Sequence, residues 1–279
     1  MRELHEPRSL SQDPSVDGQS GNDARVLAQL DGDVFVVRLS NPRRANAITD
    51  GMLEELVRVL RGPGPRDARV VLIGGEGIRH FSSGLDLSGD GDLDFRLRAG
   101  ERLLGEAARA IEECPKPVVG VLAGAVMGGA LELAVACDWR IAAPGARLAM
   151  PAGRLGVVYT AEGLERFVAI IGPARTRMLF STGEPVSAHE AHALGLVDHV
   201  VDEEGALWPR AREIAAQVAG MAPLSVSGVR QIVAALGRGD REAAERLAAE
   251  RREQAFGSAD FQEGLAAFRE RRAPKFSGS

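Results

Sequence analysis

Cysteine is scarce in this chain, which has 279 residues and only two thiols, Cys114 and Cys137. A disulfide scaffold or a thiolate metal site needs a larger set of cysteines, so the composition argues against both. Both thiols lie in sequence typical of helix, and we expect them to be buried and inert. Such sparing use of cysteine indicates a reducing compartment.

An excess of basic residues is also absent. The chain carries 34 Lys and Arg against 39 Asp and Glu, a formal net charge of -5. A general electrostatic attraction to nucleic acid needs the opposite balance. We therefore expect no nucleic-acid partner.

Long apolar runs are missing as well. The sequence contains no stretch of about eighteen apolar residues, which is the length that a helix needs to cross a membrane. The first 24 residues mix charge, Ser, Gly and Pro and contain no apolar signal segment. We therefore expect no membrane partner, a cytoplasmic location and a disordered leader over residues 1–24.

The chain does contain buried strands that alternate with amphipathic helices. Three apolar runs rich in β-branched residues predict strands: VFVVRLS (34–40), VVLIGG (70–75) and VVGVLAG (118–124). Residues 49–61, with Thr49 as the cap, and residues 103–114 predict helices between them. This alternation predicts an α/β fold with mainly parallel strands over residues 25–205. From residue 206 to residue 279 only helical patterns remain, and ALWPRAREIAAQVAGM, SVSGVRQIVAALGRG and REAAERLAAERREQAF predict three successive amphipathic helices in a C-terminal helical region.

Two strand-to-helix junctions contain glycine turns. In HFSSGLDLS the turn residue is Gly84, and in AVMGGALEL Gly128 and Gly129 open a helix. Backbone N–H groups at such turns lack internal partners, and two of them aimed at one point would hold a negative oxygen. For either turn alone, a purely structural tight turn is the favoured interpretation.

Five segments together resemble the crotonase superfamily, whose best-known members are the enoyl-CoA hydratases and isomerases. The resemblance extends from about residue 25 to residue 276. Its motifs are FSSGLDLS, PKPVVGVLAGAVMGGALELAVACDWRIAA, ARLAMPAGRLGVVY, GLVDHVVD and EGLAAFRERRAPKF.

The resemblance implies a spiral of strand-strand-helix repeats with a C-terminal helical region used in trimer formation. It also implies an acyl-CoA thioester substrate, no metal or redox cofactor, and a homotrimer or a dimer of trimers. Family members hold the thioester oxygen with two backbone N–H groups, which match Leu85 and Gly129 here.

Glu132 lies one helical turn after Gly129, among apolar neighbours. A carboxylate in such surroundings is expected to have a raised pKa, which favours proton transfer. In hydratases the matching glutamate handles water or a substrate proton. The structural alternative is a buried glutamate paired with an arginine such as Arg140, or with backbone.

The segment AMPAGRLGVVY departs from the hydratase pattern. Alignment on Pro151 places Ala152 where hydratases carry a second catalytic glutamate. The segment instead contains Tyr159, the only tyrosine of the chain, and in this respect it resembles methylmalonyl-CoA decarboxylases. A phenol there would orient a departing carboxylate, or it would simply pack its ring in the core. Glu162 is either a replacement acid or a residue that complements the helix dipole.

The resemblance also assigns the coenzyme A contacts. The segment NPRRANAI matches the family's CoA-binding segment, although a solvated basic pair is the default interpretation of Arg43 and Arg44. Phe268 matches a position that closes over adenine, and amphipathic packing explains it equally well. The predicted contacts are Arg44, Ala45, Asn46, Ser83, Phe268 and Arg271.

Three functions remain open from the sequence. The first is hydratase- or isomerase-like lyase chemistry, with Glu132 and Tyr159 as catalytic residues. The second is decarboxylation of a methylmalonyl-CoA-like substrate, which needs the oxyanion hole but no strong base. The third is a catalytically silent acyl-CoA binder. The thioester is carried either by coenzyme A or by the phosphopantetheine of a carrier protein.

Overall fold

The computed structural model describes residues 24–88 and 93–279. The predicted leader therefore lies outside the described residues, except for Ala24. The described strands are β1 (Arg25–Asp31), β2 (Val34–Ser40), β3 (Val70–Gly75), β4 (Val118–Leu122), β5 (Ala125–Met127), β6 (Trp139–Ala142), β7 (Arg147–Ala149), β8 (Val186–Ser187) and β9 (His199–Val200). The described helices are α1 (Asp50–Arg61), α2 (Gly64–Asp67), α3 (Leu93–Glu112), α4 (Gly129–Val135), α5 (Ala152–Leu155), α6 (Ala161–Thr182), α7 (Ala188–Leu194), α8 (Leu207–Ala219), α9 (Pro223–Gly237), α10 (Arg241–Phe256) and α11 (Ala259–Glu270).

Two sheets organise the described residues. The larger sheet has the order β1-β2-β3-β4-β6-β9, and the smaller has the order β5-β7-β8. Only the pairing of β1 with β2 is antiparallel in the larger sheet, while β2, β3, β4, β6 and β9 run parallel. The predicted α/β fold with mainly parallel pairing is confirmed, because strands joined by helical crossovers return in the same direction.

Both faces of the larger sheet are covered by helices. Along β2, Phe35, Val37 and Leu39 face the core that contains α1 and α3, while Val34 and Val36 belong to the core beneath α8. The alternation follows from the two-residue period of a strand. A parallel sheet with two apolar faces needs this double cover.

Both helices predicted between the strands over residues 49–61 and 103–114 are present, although the second begins earlier than expected. Thr49 accepts a hydrogen bond from the Met52 N–H at 3.3 Å and caps α1, as predicted. Helix α3 was expected to begin at Leu103 and instead begins at Leu93. Gly100 lies within the extension, where an added Cβ would lie 3.5 Å from a Leu85 methyl group. Its small size lets α3 approach the first glycine turn.

Four helices form the C-terminal region, of which the sequence patterns predicted α8, α9 and α10. The fourth, α11, was missed. Arg230 of α9 connects this region to the α/β core: it donates to the Asp138 carboxylate and to the carbonyls of Cys114 and Glu112. Among the described residues no single helix is long and apolar enough to cross a membrane, although residues 204–219 and 223–237, bent by 105°, pass that test as a pair.

The two thiols lie just beyond helix ends rather than within helices. Cys114 follows α3 and Cys137 follows α4. Both are free and buried, as expected. Burial raises the pKa of the Cys137 thiol to about 12, so this side chain stays protonated and unreactive.

Candidate active site

The first glycine turn follows a bridge between Ser82 and Val126. Gly84 has a φ of +101°, and an added Cβ would lie 2.8 Å from the Met127 carbonyl oxygen, so a side chain would clash there. The Ile48 N–H donates to the Gly84 carbonyl, and the Asp86 N–H donates to the Ile48 carbonyl, both at 2.8 Å. Because these bonds flank Leu85, the Leu85 N–H points away from Ile48.

The second glycine turn opens α4. Gly128 has a φ of +54° and donates its N–H to the Ala149 carbonyl at 2.9 Å. Gly129 is the first helical residue, so its N–H has no partner within the helix. In the part of the chain that the structure describes, neither the Leu85 N–H nor the Gly129 N–H donates a hydrogen bond. Both donors are therefore available to a ligand.

The two turns are in contact beside one cavity. An added Cβ on Gly129 would lie 3.3 Å from Leu85 Cγ and 3.0 Å from a methyl group of Leu104. The cavity has a volume of about 330 Å³ and a mainly apolar wall. Its lining includes both turns and parts of α3 and α5: Ser83, Gly84, Leu85, Leu87, Asp94, Leu97, Arg98, Glu101, Leu104, Met127, Gly128, Gly129, Pro151, Ala152, Leu155, Gly156, Val157, Val158 and Tyr159.

Glu132 lies one turn along α4 and is buried, and it is not among the residues that line the cavity in the described part of the chain. Its Oε1 accepts a hydrogen bond from Arg166 Nη1 at 3.1 Å, and both side chains are almost wholly buried. Burial raises the pKa of Glu132 to about 7, although the Arg166 charge acts in the opposite direction. The carboxyl group therefore exchanges a proton near neutral pH.

Glu132 is paired with an arginine, as the structural alternative expected, but Arg140 is not that arginine. Arg140 donates instead to Asp198 and to the Cys137 carbonyl, each at 2.8 Å. The partner is Arg166 of α6, which the sequence analysis missed. It lies 34 residues from Glu132, and only its spacing of four residues from Glu162 was a local signal.

Arg166 holds three carboxylates together. Besides Glu132, it donates to Glu112 at 2.7 Å and to Glu162 at 2.7 Å. Burial acts against the ionised form of Glu162, but hydrogen bonds from Arg109 and Arg166 hold its pKa below the usual value. Glu162 is thus paired with two arginines and is not among the residues that line the cavity in the described part of the chain.

Tyr159 lies on the cavity wall and also packs its ring. Its ring meets Phe180 edge to face, with centroids 5.2 Å apart. Its hydroxyl oxygen would be 3.9 Å from a Cβ placed on Gly128. Burial raises the pKa of the phenol, and the negative charges of Glu132 and Glu101 raise it further. Tyr159 therefore both lines the cavity and packs its ring against the core.

Ala152 is buried and lines the same cavity. Its methyl group offers no acid or base there. The cavity wall does contain the carboxylates of Asp94 and Glu101 on α3, and the sequence analysis missed Glu101. The predicted helix began two residues after Glu101, so its place on the cavity-facing side of α3 went unrecognised.

The predicted coenzyme A segment lies beside the first turn. Arg44 forms an ion pair with Asp86 at 3.1 Å. Ser83 donates its N–H to the Ala45 carbonyl and its hydroxyl to the Arg44 carbonyl. Asn46 is buried, its amide group donates to the carbonyls of Glu76 and His80, and its backbone N–H donates to the Asn41 carbonyl, which leaves its backbone carbonyl for a substrate. These hydrogen bonds hold the segment against Ser83, which lines the cavity.

The two predicted residues of the C-terminal tail do not line the cavity. Phe268 on α11 is 83% exposed, so packing within this chain does not explain it. Arg271 ends α11 with a left-handed φ of +54°. Neither residue is among those that surround the cavity in the described part of the chain.

Comparison with known proteins gives a consistent set of matches. A family model described as Enoyl-CoA hydratase/isomerase matches residues 29–279. A probable enoyl-CoA hydratase from Bacillus subtilis is 35% identical over 260 residues, which cover 91% of this chain and 98% of that protein. A short-chain-enoyl-CoA hydratase from Clostridium acetobutylicum is 31% identical, with 88% and 95% covered. The crystal structure of an enoyl-CoA hydratase from Bacillus anthracis has a TM-score of 0.83 and 30% identity, with 91% and 99% covered.

Proposed function

Because the chain belongs to the enoyl-CoA hydratase/isomerase family, we propose that it stabilises the enolate of an acyl-CoA thioester between two backbone amides. The observation that carries this proposal is the position of the Leu85 and Gly129 N–H groups. Both belong to the wall of one cavity, and neither has a partner in the described residues. Donors held in place by the fold stabilise developing negative charge without reorganising during the reaction.

Glu132 is the proton carrier of this proposal. Its raised pKa, about 7, allows it both to give and to accept a proton near neutral pH. Arg166 fixes the position of the carboxyl group and keeps the ionised form accessible, so Arg166 is a positioning residue. Tyr159 stands on the cavity wall beside Gly128 and orients the acyl group or water with its hydroxyl.

The primary reaction we propose is hydratase- or isomerase-like lyase chemistry. Ala152 in the cavity favours one rival, decarboxylation, since loss of carbon dioxide yields the enolate without a second carboxylate. The other rival is a silent acyl-CoA binder, which would use the same two amides for affinity alone. The apolar wall accommodates an acyl chain in each case.

Recognition of the thioester carrier is proposed for the segment beside the first turn. The backbone of Ala45 and Asn46 and the Arg44 guanidinium lie next to Ser83 at the cavity. Arg44 is half-exposed and accessible to a phosphate. These groups suit either coenzyme A or a carrier-protein phosphopantetheine. Phe268 and Arg271 would contact the nucleotide from a neighbouring subunit.

We also propose a homotrimer or a dimer of trimers. The C-terminal helical region carries exposed apolar side chains, among them Met221, Val229, Val233 and Phe268. Apolar surfaces of this kind mark association sites. Light scattering coupled to gel filtration tests the assembly, and a monomeric mass at micromolar concentration contradicts it.

The reaction is tested with a panel of acyl-CoA thioesters analysed by mass spectrometry. Hydration appears as a gain of water and decarboxylation as a loss of carbon dioxide, while isomers are separated by chromatography. We expect Glu132→Gln to lose turnover by about 100-fold or more while it still binds the thioester. Glu165→Gln, an exposed change on α6, is the matched control. Unchanged turnover in Glu132→Gln would remove the proton carrier, and binding without conversion by the unmodified protein would favour the silent binder.

A further inference from the structure

We infer that Glu101 is the second proton-transferring carboxylate of this cavity and acts where Ala152 cannot. The inference rests on the proposed enolate chemistry. It assigns Glu101 to the activation of the water that adds to an enoyl thioester. The arrangement differs from a carboxylate at position 152 because Glu101 approaches the cavity from α3.

The cavity-facing side of α3 places Glu101 on the wall of the cavity that Leu85 and Gly129 also line. Leu104, one turn after Glu101, packs directly against Gly129, and Gly100 packs against Leu85. Both Glu101 and Leu104 belong to the cavity wall. Because helical side chains lean towards the N-terminus, Glu101 extends along this wall over the turn that precedes it.

The Glu101 carboxylate is unpaired within the described residues. It forms no hydrogen bond there and no ion pair within 4.0 Å, whereas the neighbouring Arg98 binds Asp94 at 2.9 Å. Arg102 is likewise held by Glu106. A half-buried carboxylate on a mainly apolar wall that lacks a protein partner is available to water or substrate.

The charge of Glu101 reaches the other polar groups of the site. After burial, which is the largest cause, Glu101 contributes to the raised pKa of both Glu132 and Tyr159. Asp94 and Arg98 of its own helix and Tyr159 of the segment before α6 line the same cavity as Glu101, and Glu132 of α4 lies within the range of its charge. Glu101 on the cavity wall and the buried Glu132 thus come from different helices and influence each other's charge, which suits two groups with separate acid-base roles.

The addition of water balances with these two groups. The Glu101 carboxylate takes a proton from water as the water oxygen bonds to the β-carbon. The electrons of the carbon-carbon double bond move towards the thioester oxygen, where the Leu85 and Gly129 amides hold the enolate. The α-carbon then takes the proton of the Glu132 carboxyl group. A proton returns from Glu101 to Glu132 through the Tyr159 hydroxyl or water, which restores the starting state.

The test compares Glu101→Gln with Glu106→Gln, an exchange of the same type on the same helix that does not line the cavity. With crotonyl-CoA as the probe, we expect Glu101→Gln to lower kcat for water addition by about 100-fold, with KM within about threefold. Exchange of α-protons of butyryl-CoA in deuterium oxide, which needs Glu132 and the amides, should persist in this variant. Glu106→Gln should match the unmodified protein in both assays, and circular dichroism checks the folding of both variants.

The failure of this inference is distinguishable from failure of the proposed function. Water addition by Glu101→Gln at the rate of the Glu106→Gln control overturns the role of Glu101. An unmodified protein that exchanges α-protons but adds no water also overturns it and leaves the enolate proposal standing. If the unmodified protein neither exchanges α-protons nor converts any thioester, the proposed function itself is wrong.

Discussion

Burial and neighbouring charges act in opposite directions on the pKa of single residues in this protein, and Glu132 is the clearest case. Burial disfavours its charge, while Arg166 favours it at a distance of 3.1 Å. Glu112 and Glu162 compete for the same guanidinium, so Arg166 cannot compensate Glu132 fully. Burial therefore prevails, and the pKa of Glu132 stays at about 7.

This balance predicts a pH-dependent stability. Because the folded pKa of Glu132 lies above its ordinary value of 4.5, its contribution is fully favourable below about pH 4.5 and is lost as the pH rises through about 7. Relative to Glu132→Gln, the unmodified protein should lose roughly 2 to 4 kcal/mol of unfolding free energy over this range. Urea unfolding at a series of pH values measures it. A difference between the two proteins that does not vary with pH would contradict the raised pKa.

Gly84 is the residue whose backbone most constrains the oxyanion site. Its φ of +101° and the 2.8 Å approach of a Cβ to the Met127 carbonyl oxygen predict that Gly84→Ala displaces the turn. We expect a cost of about 1 to 3 kcal/mol in stability and a larger loss of turnover, because the Leu85 N–H moves. Gly77→Ala also has a positive φ but meets no atom within 4 Å, and it serves as the control. Equal turnover in the two variants would contradict the role of the turn.

At the scale of elements, helix starts place the functional groups. Thr160 caps α6 by accepting the Gly163 N–H at 3.1 Å, and Tyr159 immediately precedes this cap. The same first turn packs against Glu132, since a Cβ on Gly163 would lie 3.1 Å from Glu132 Oε1. The start of α6 therefore positions both proposed catalytic side chains.

Removal of this cap should affect stability and turnover together. We expect Thr160→Ala to cost about 1 kcal/mol of unfolding free energy and to lower kcat, because Tyr159 loses its fixed position. Thr182→Ala removes an exposed hydroxyl at the other end of α6 and should change stability by less than about 0.5 kcal/mol. Thermal unfolding and steady-state kinetics measure the two effects. A Thr160→Ala protein with normal kcat would show that the cap does not position Tyr159.

At the scale of the whole molecule, Arg230 joins the C-terminal helices to the α/β core. Its side chain is mostly buried and donates to a carboxylate and three carbonyl groups near the end of α3. Arg230→Met should lower the unfolding free energy by roughly 2 to 4 kcal/mol, because Asp138 and the carbonyl groups lose their donors. Arg241→Met removes a side chain that is 85% exposed and paired with Glu245, and it should cost less than about 1 kcal/mol. Equal urea midpoints for the two variants would contradict this role.

The sequence by itself determined the local features of this protein. The strands 34–40 and 70–75, the Thr49 cap, the helices α8 to α10 and the two glycine turns follow from periodicity, capping and backbone freedom, which act over a few residues. The resemblance to the crotonase superfamily was visible in the sequence because its motifs are short and contiguous. The family model confirms it.

The tertiary structure alone decided the partners of these features. It paired Glu132 with Arg166 rather than Arg140. It also bonded the Asn46 amide group to backbone carbonyls and placed Glu101 on the wall of the cavity beside both glycine turns. Each of these outcomes joins residues that are tens of positions apart, and their distances depend on how helices pack rather than on local pattern. Charge and burial at the site could therefore be evaluated only once the chain was folded.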